Sequence, residues 1–259
     1  FFCYFFVSIT FIFYLNAQNG PFVFNGEIEF ERKVNLYTLY KENPALLEIL
    51  RMANRQFRTD EFILTFDSLQ TYYKPGKLKP ENELLPAIPA DKNTVLTNFV
   101  TNTILTTKYF FDKKYLVKDS LLKVKWKLTG EKRNIAGLEC KRANAIILDS
   151  LYIVVFFSEE IICRGGPESF SGLPGMILGV AIPQMHITWF AKRVSAKPAY
   201  KEPFNSENSN TLSFNEYKKQ LFSECKNYGE IAKWYYLFSL LEVTMRYSAF
   251  HYPMFVFRN

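Results

Sequence analysis

Apolar and polar residues alternate with a period of two through most of residues 24–194, which predicts a chain of neighbouring β-strands. In residues 24–34, Ile28 and Phe30 take one parity and Glu27, Glu29 and Glu31 the other. Arg32 falls on the apolar parity, and the pattern fades there. Residues 61–66 and 70–73 predict a hairpin across Asp67-Ser68-Leu69. Residues 93–98, 104–111 and 115–118 predict further strands. The cleanest alternation is at 123–128: Lys123, Lys125 and Lys127 point one way and Val124, Trp126 and Leu128 the other, which predicts one wet basic face and one buried face. Residues 137–148 and 151–157 predict two adjacent strands joined at Asp149-Ser150. Their apolar runs, 145–148 and 151–157, predict burial on both faces or a face lining an apolar cavity. Residues 176–181 and 186–194 complete the series.

One early helix interrupts the strands. Asn43 has the chemistry of an N-cap and Pro44 of the first helical position. Leu46, Ile49, Leu50, Ala53 and Phe57 follow at helical spacing, predicting an amphipathic helix over 44–55 that packs on the sheet. Residues 74–91, with Pro75, Pro80, Pro86 and Pro89, predict a long irregular loop. Residues 195–210, rich in Lys, Pro, Ser, Asn and Glu, read as a linker. Residues 214–228 and 231–247 read as helices of an aromatic C-terminal tail spanning 211–259. Together these elements predict an α+β fold, mainly antiparallel β, and not alternating βαβ units. So long a meander is expected to curl into a strongly twisted sheet or partial barrel, with one early helix and a helical C-terminal tail.

The densest punctuation lies at residues 165–180, which hold five glycines and two prolines in sixteen residues. Leu173-Pro174-Gly175-Met176 predicts a type II turn with positive φ at Gly175, where asparagine should be tolerated better than alanine or valine. Met176-Ile177-Leu178 predicts a short buried strand, and Gly179 a bulge or close backbone approach. The 165–175 loop is therefore expected to be rigid, with Glu168, Ser169 and Ser171 exposed. Its binding candidates are Glu168, Ser169, Phe170, Ser171 and Leu173, framed by Gly172, Pro174 and Gly175.

Gly172-Leu173-Pro174-Gly175-Met176-Ile177-Leu178 resembles the signature of the GLPGLI family, exported proteins of Bacteroidota. Residues 115–120, 124–128 and 135–143 fall in the order expected of that family. The resemblance covers residues 26–194 and implies location and fold more than activity, since the family has no established activity. This chain has Ser171 where many relatives carry cysteine, and Gly179 where a glutamate commonly follows. The strand order also resembles, less specifically, the half-barrel of periplasmic lipoprotein carriers.

The composition, 48% apolar and 17% aromatic, supports a sizeable core. Residues 1–15 are apolar and aromatic, and Asn16-Ala17-Gln18 follows, reading as a secretory signal with cleavage after Ala17. The run is shorter than the ~20 residues a membrane span needs. The expected location is the periplasm, the outer membrane surface or beyond, with residues 18–194 as the β-rich domain and no transmembrane span in the mature chain. Of the four cysteines, Cys3 leaves with the signal. In an oxidising compartment Cys140–Cys163 is a possible disulfide, with buried free thiols at Cys140, Cys163 and Cys225 as the equal alternative.

No catalytic constellation is visible. His186 and His251 have no partner at ligand spacing, and His186 lies in a strand pattern. Ser169 and Ser171 lack a Gly-x-Ser-x-Gly elbow, Glu159-Glu160 point in opposite directions on a strand end, and no phosphate-binding loop is present. Neither a metal nor a cofactor is expected. The formal charge is +7, and the Lys123/Lys125/Lys127 stripe has Lys132-Arg133, Lys141-Arg142 and Lys192-Arg193 nearby in the pattern. In an exported protein this suits an anionic lipid or an acidic envelope partner more than nucleic acid, and a plain solvated face most simply. The function expected is non-enzymatic binding of an apolar or lipid-like ligand. The rivals are docking on an outer-membrane machine through the 165–175 loop and, last, a hydrolase using Ser169 or Ser171. An enclosed apolar cavity would favour the carrier and a packed core the docking module.

Overall fold

The computed structural model describes residues 23–82, 85, 88, 90–110, 113–121, 123–147, 151–197 and 211–225. The signal segment at 1–17, the linker from 198 to 210, the helix expected at 231–247, and His251 lie outside the described residues, as does the side chain of Cys225.

Among the described residues, eleven strands form one sheet: β1 (Gly26–Asn35), β2 (Phe57–Phe66), β3 (Gln70–Pro75), β4 (Thr94–Asn98), β5 (Thr103–Phe110), β6 (Lys113–Ser120), β7 (Lys127–Ile135), β8 (Leu138–Ile147), β9 (Leu151–Ser158), β10 (Met176–Ile182) and β11 (Ile187–Ala196). The spatial order is β6-β5-β4-β3-β2-β1-β11-β10-β9-β8-β7, antiparallel throughout. Two meanders, β1–β6 and β7–β11, are thus joined where β1 pairs with β11. The consecutive strands β6 and β7 are the two opposite edges of the sheet.

That connection forces the curl. Only residues 121–126 join β6 to β7, and a fully extended chain over that length reaches at most about 25 Å. Eleven strands laid flat would hold their edges about 48 Å apart. The sheet must therefore bend until its edges approach, and residues 123–126 form a strap across the concave side.

The strap is where the sequence expectation needs correction. Residues 123–126 form no ladder, and the strand starts only at Lys127. Val124 and Trp126 are half-buried against the core, whereas Leu128 is 59% exposed. A two-sided environment produces alternation with or without strand pairing, and here the inner side is a loop.

The concave face follows one parity across the meander. Ile28, Phe30 and Val34 of β1 face it with Phe62, Leu64 and Phe66 of β2 and Tyr73 of β3. Val155, Phe157, Leu178, Val180, Ile182 and Trp189 continue the core from β9 to β11. In β8 the apolar run is not buried on both faces: Ile146 is exposed between buried Ala145 and Ile147. The far half of β9 is enclosed on both faces, as expected.

Among the described residues, three α-helices flank the sheet. In α1 (Leu36–Leu39), which the pattern did not predict, Asn35 caps the N-terminus by accepting from the Tyr37 and Thr38 N–H groups. In α2 (Pro44–Met52) the Asn43 side chain accepts from Leu46 N–H, with Pro44 at the first position as predicted. This helix ends three residues earlier than expected, because Asn54 adopts a left-handed conformation with φ 51°. It buries Leu50 and leaves Ile49 and Met52 exposed. In α3 (Phe214–Cys225) Phe214, Tyr217 and Leu221 pack around Val117 of β6. Leu212 hydrogen-bonds both Leu116 and Lys118 just before α3, adding a short parallel bridge to the β6 edge. The start of the expected tail is therefore part of the sheet domain, and β11 runs two residues into the expected linker.

Candidate functional site

The 165–175 loop fills the concave side. Contrary to the exposed loop expected, Glu168 is 3% exposed, Phe170 and Leu173 belong to the core, Ser171 is buried and Ser169 half-buried. Loops lie on surfaces when nothing encloses their backbone; here the curled sheet below and the strap above do so. Internal bonds hold its shape: Phe170 N–H donates to Pro167 O, Gly172 N–H to Arg164 O, and Ile177 N–H ties Gly165 O to β10 at 2.8 Å. Gly165 lies so close to Thr71 of β3 that a Cβ would come within 2.5 Å of its methyl carbon. From above, the Trp126 indole N–H donates to Ser171 O at 3.0 Å. Only Gly172 and Pro174 present exposed loop residues beside the strap.

The turn at Gly175 is not type II. Gly175 N–H closes onto Leu173 O at 2.8 Å, the i→i+2 closure of a γ-turn centred on Pro174, and Gly175 has φ 151° instead of about 80°. Glycine is demanded there by a close approach: a Cβ would sit 2.2 Å from Ser158 O and 2.8 Å from its carbonyl carbon. The bulge expected at Gly179 is present, and the close approach there is by a side chain. The β9–β10 register shifts between Ile177 and Gly179, and a Cβ on Gly179 would meet the Phe190 ring at 2.8 Å.

Beneath the loop lies a buried ionic network. Arg32 is fully buried on the apolar parity of β1, paired in register with Asp60 of β2 and Trp189 of β11. Its Nη2 meets Asp60 Oδ2 at 3.1 Å, and its guanidinium lies over the Phe62 ring at 4.8 Å. Asp60 also accepts from Arg58 Nε at 2.9 Å and Asn82 Nδ2 at 3.1 Å, and Arg58 reaches Asp91 at 3.5 Å. Burial alone would push the Arg32 pKa down, but the charges of Asp60, Tyr73, Glu168 and Asp91 more than offset it and the pKa is raised. Asp91 is raised mainly by desolvation, against the pull of Arg32 and Arg58. Glu168 is thereby the loop's charge in the field of the sheet's Arg32. The signal for this network was legible as a charge on the apolar parity of a strand, a position the pattern treats as fading.

The arrangement ties the loop to the sheet. Asp60 accepts from three donors, Arg32, Arg58 and Asn82. His186 is exposed in a left-handed turn before β11, not within the strand, and its carbonyl accepts from Asn35 N–H. Among the described residues, no three His, Cys, Asp or Glu side chains converge where they could hold a metal ion. Cys140 and Cys163 are not joined: both are buried free thiols. Cys140 Sγ points back to Leu138 O, and desolvation pushes each thiol up to about 12.

The basic groups divide into two sets. Lys132 pairs with Glu139 and Lys141 with Glu159, Arg142 with Glu131, Lys192 with Glu31 and Arg193 with Glu29. Arg133 lies over the Phe156 and Phe190 rings. Lys123, Lys125 and Lys127 are exposed, and among the described residues none is within ion-pair distance of a carboxylate. The loop, the strap and this uncompensated stripe form the candidate functional site.

The fold defines an open, curled antiparallel sheet whose concave side is filled by its own loop. Two crystal forms of PNGF-II share it, each with a TM-score of 0.53, at 17% and 18% identity. They cover 76% of this chain, which spans about a third of PNGF-II (33% and 32%). At that identity the likeness concerns the fold alone. An uncharacterised conserved protein from Thermus thermophilus is similar at a TM-score of 0.36, with 5% identity over 73% of this chain and 90% of its own. No protein-family model and no curated protein matches the chain. Among the described residues, no helix is long and apolar enough to cross a membrane.

Proposed function

We propose that the chain is a GLPGLI-type exported protein of the cell envelope that acts without catalysis, by docking a partner on the surface formed by the strap and the tip of the 165–175 loop. The observation that carries this reading is the filling of the concave side. Phe170 and Leu173 from the loop lie in the core, and Phe214, Tyr217 and Leu221 from α3 cover the β6 end. An acyl chain would have to displace them, so carriage of an apolar ligand ranks second. The docking surface differs from the one expected from sequence. Most of the loop's side chains are buried, with Pro174 exposed and Ser169 half-buried, and its contribution is the rigid support under Trp126 that presents Lys123 and Lys125 outward.

The test places a photo-crosslinking residue at position 125, and a control at exposed Glu48 on α2, in the protein expressed in its native envelope. One defined crosslinked partner from position 125 and none from the control is the expected result. Stoichiometric lipid on the purified protein, with no position-specific crosslink, would overturn docking in favour of the carrier.

A further inference from the structure

The strap combines two features that together specify a partner. Residues 123–126 belong to no helix or ladder, and among the described residues none of Lys123, Val124, Lys125 and Trp126 makes a backbone–backbone hydrogen bond. The chain then continues into β7, which pairs with β8 on one side and with no described strand on the other. One open edge of backbone donors and acceptors therefore begins at Lys123 and runs into β7. No proline removes a donor along residues 121–135. The opposite edge of the sheet shows what such an edge accepts, since β6 takes an added extended segment through Leu212.

The second feature is charge at strand spacing. Val124 and Trp126 turn inward onto the core while Lys123, Lys125 and Lys127 are exposed, the period-two pattern that in an extended segment sets alternate side chains about 6.8 Å apart on one face. Among the described residues, neighbouring Lys132, Lys141, Arg142 and Lys192 are matched by carboxylates; these three are not. Lysines can also protect a sheet edge from unwanted pairing with like edges. Such protection selects against basic or neutral strands and leaves an acidic one favoured.

We infer that this edge receives an extended acidic segment of a partner protein. The segment adds as a strand along residues 123–128, with Asp or Glu at every second position facing Lys123, Lys125 and Lys127. This rests on the docking role proposed above and names its chemistry. Main-chain bonds would supply affinity, and the period-two charge match would supply register and partner choice. The bulge between Leu128 and Lys132 ends the usable edge, because it breaks the ladder that a longer strand would follow.

The experiment uses the full chain and a short fluorescein-labelled peptide of alternating glutamate and threonine. Controls are a peptide with lysine in place of glutamate, and phosphatidylglycerol vesicles. The expected result is salt-weakened binding of the acidic peptide alone, with slowed amide hydrogen exchange confined to residues 123–128. Triple reversal to Lys123→Glu, Lys125→Glu and Lys127→Glu should weaken it about tenfold or more. The neutral Lys→Gln triple variant should fall between, and both should keep the parent's dichroism spectrum. Peptide binding without slowed exchange would overturn strand addition and leave bare charge attraction. Lysine-dependent binding of vesicles in place of peptide would assign the stripe to lipid headgroups. Failure of the peptide with crosslinking at position 125 intact would remove the acidic-strand chemistry and spare the docking role; loss of both would remove both.

Discussion

The indole N–H of Trp126 is hydrogen-bonded to the carbonyl of Ser171 at 3.0 Å, joining the strap that links the two sheet edges to the loop that fills the concave side. Trp126→Phe keeps most of the ring packing and removes that bond. It should cost about 1 kcal/mol in a urea melt. Trp126→Ala should cost distinctly more, because the loop also loses its cover. A phenylalanine variant as damaged as the alanine variant would show that the bond is not separable from the packing.

Gly175 should reject every side chain. A Cβ there meets Ser158 O at 2.2 Å, and that contact is with backbone, so alanine, asparagine and valine should all lose about 2 kcal/mol or more. Asparagine loses the advantage it would have in a type II turn. Pro174→Ala should be milder. Melts in which asparagine stands well above alanine would restore the left-handed turn.

Arg32 and Asp60 should behave as a unit. Arg32→Met leaves the buried charges of Asp60 and Glu168 without this cation and should cost about 3–5 kcal/mol. Asp60→Asn weakens the same pair. The double variant should therefore lose much less than the sum of the two single losses. Additive losses in a double-mutant cycle would dismiss the coupling.

Asp91 gives a pH signature. Its pKa is raised in the folded protein, so the native state binds this proton more tightly than the unfolded chain does. The associated stability is present below the unfolded value of about 3.9 and is lost as pH rises through the folded value. Asp91→Asn should thus gain on the parent as pH rises from the unfolded value of about 3.9 through the raised folded value. A variant that instead loses ground over that range would mean that the Arg58 pairing outweighs desolvation.

The two thiols should be silent. With Cys140 and Cys163 each pushed up to about 12, neither forms thiolate at neutral pH, and both are enclosed. Alkylation under native conditions should leave both unmodified, and denaturant should release both. Their raised values also predict stability lost with rising pH between about 8.5, the free-thiol value, and the folded value. A Cys140–Cys163 crosslink in non-reducing peptide maps would contradict the structure.

Much of the local structure was legible because it depends on neighbours in sequence. Asn43 and Pro44 carry the start of α2 in their own side chains and backbone. The parity of Ile28 and Phe30 places their face, and Asp67-Ser68-Leu69 makes its hairpin wherever the strands lie. The bulge at Gly179 was legible for the same reason.

What only the tertiary structure decided depends on partners distant in sequence. Val124 and Trp126 alternate with lysines whether they rest on a paired strand or on a loop, so the pattern could not tell strap from strand. Glu168 and Ser171 are polar and sit among glycines, which reads as exposure until a curled sheet encloses them. Arg32 looked like a fading pattern because its compensating carboxylates, Asp60, Asp91 and Glu168, lie on separate segments of the chain. A period of two reports which way a side chain points. What it meets there depends on the pairing of β1 with β11 and on the curl imposed by a six-residue crossing, and these are properties of the closed chain.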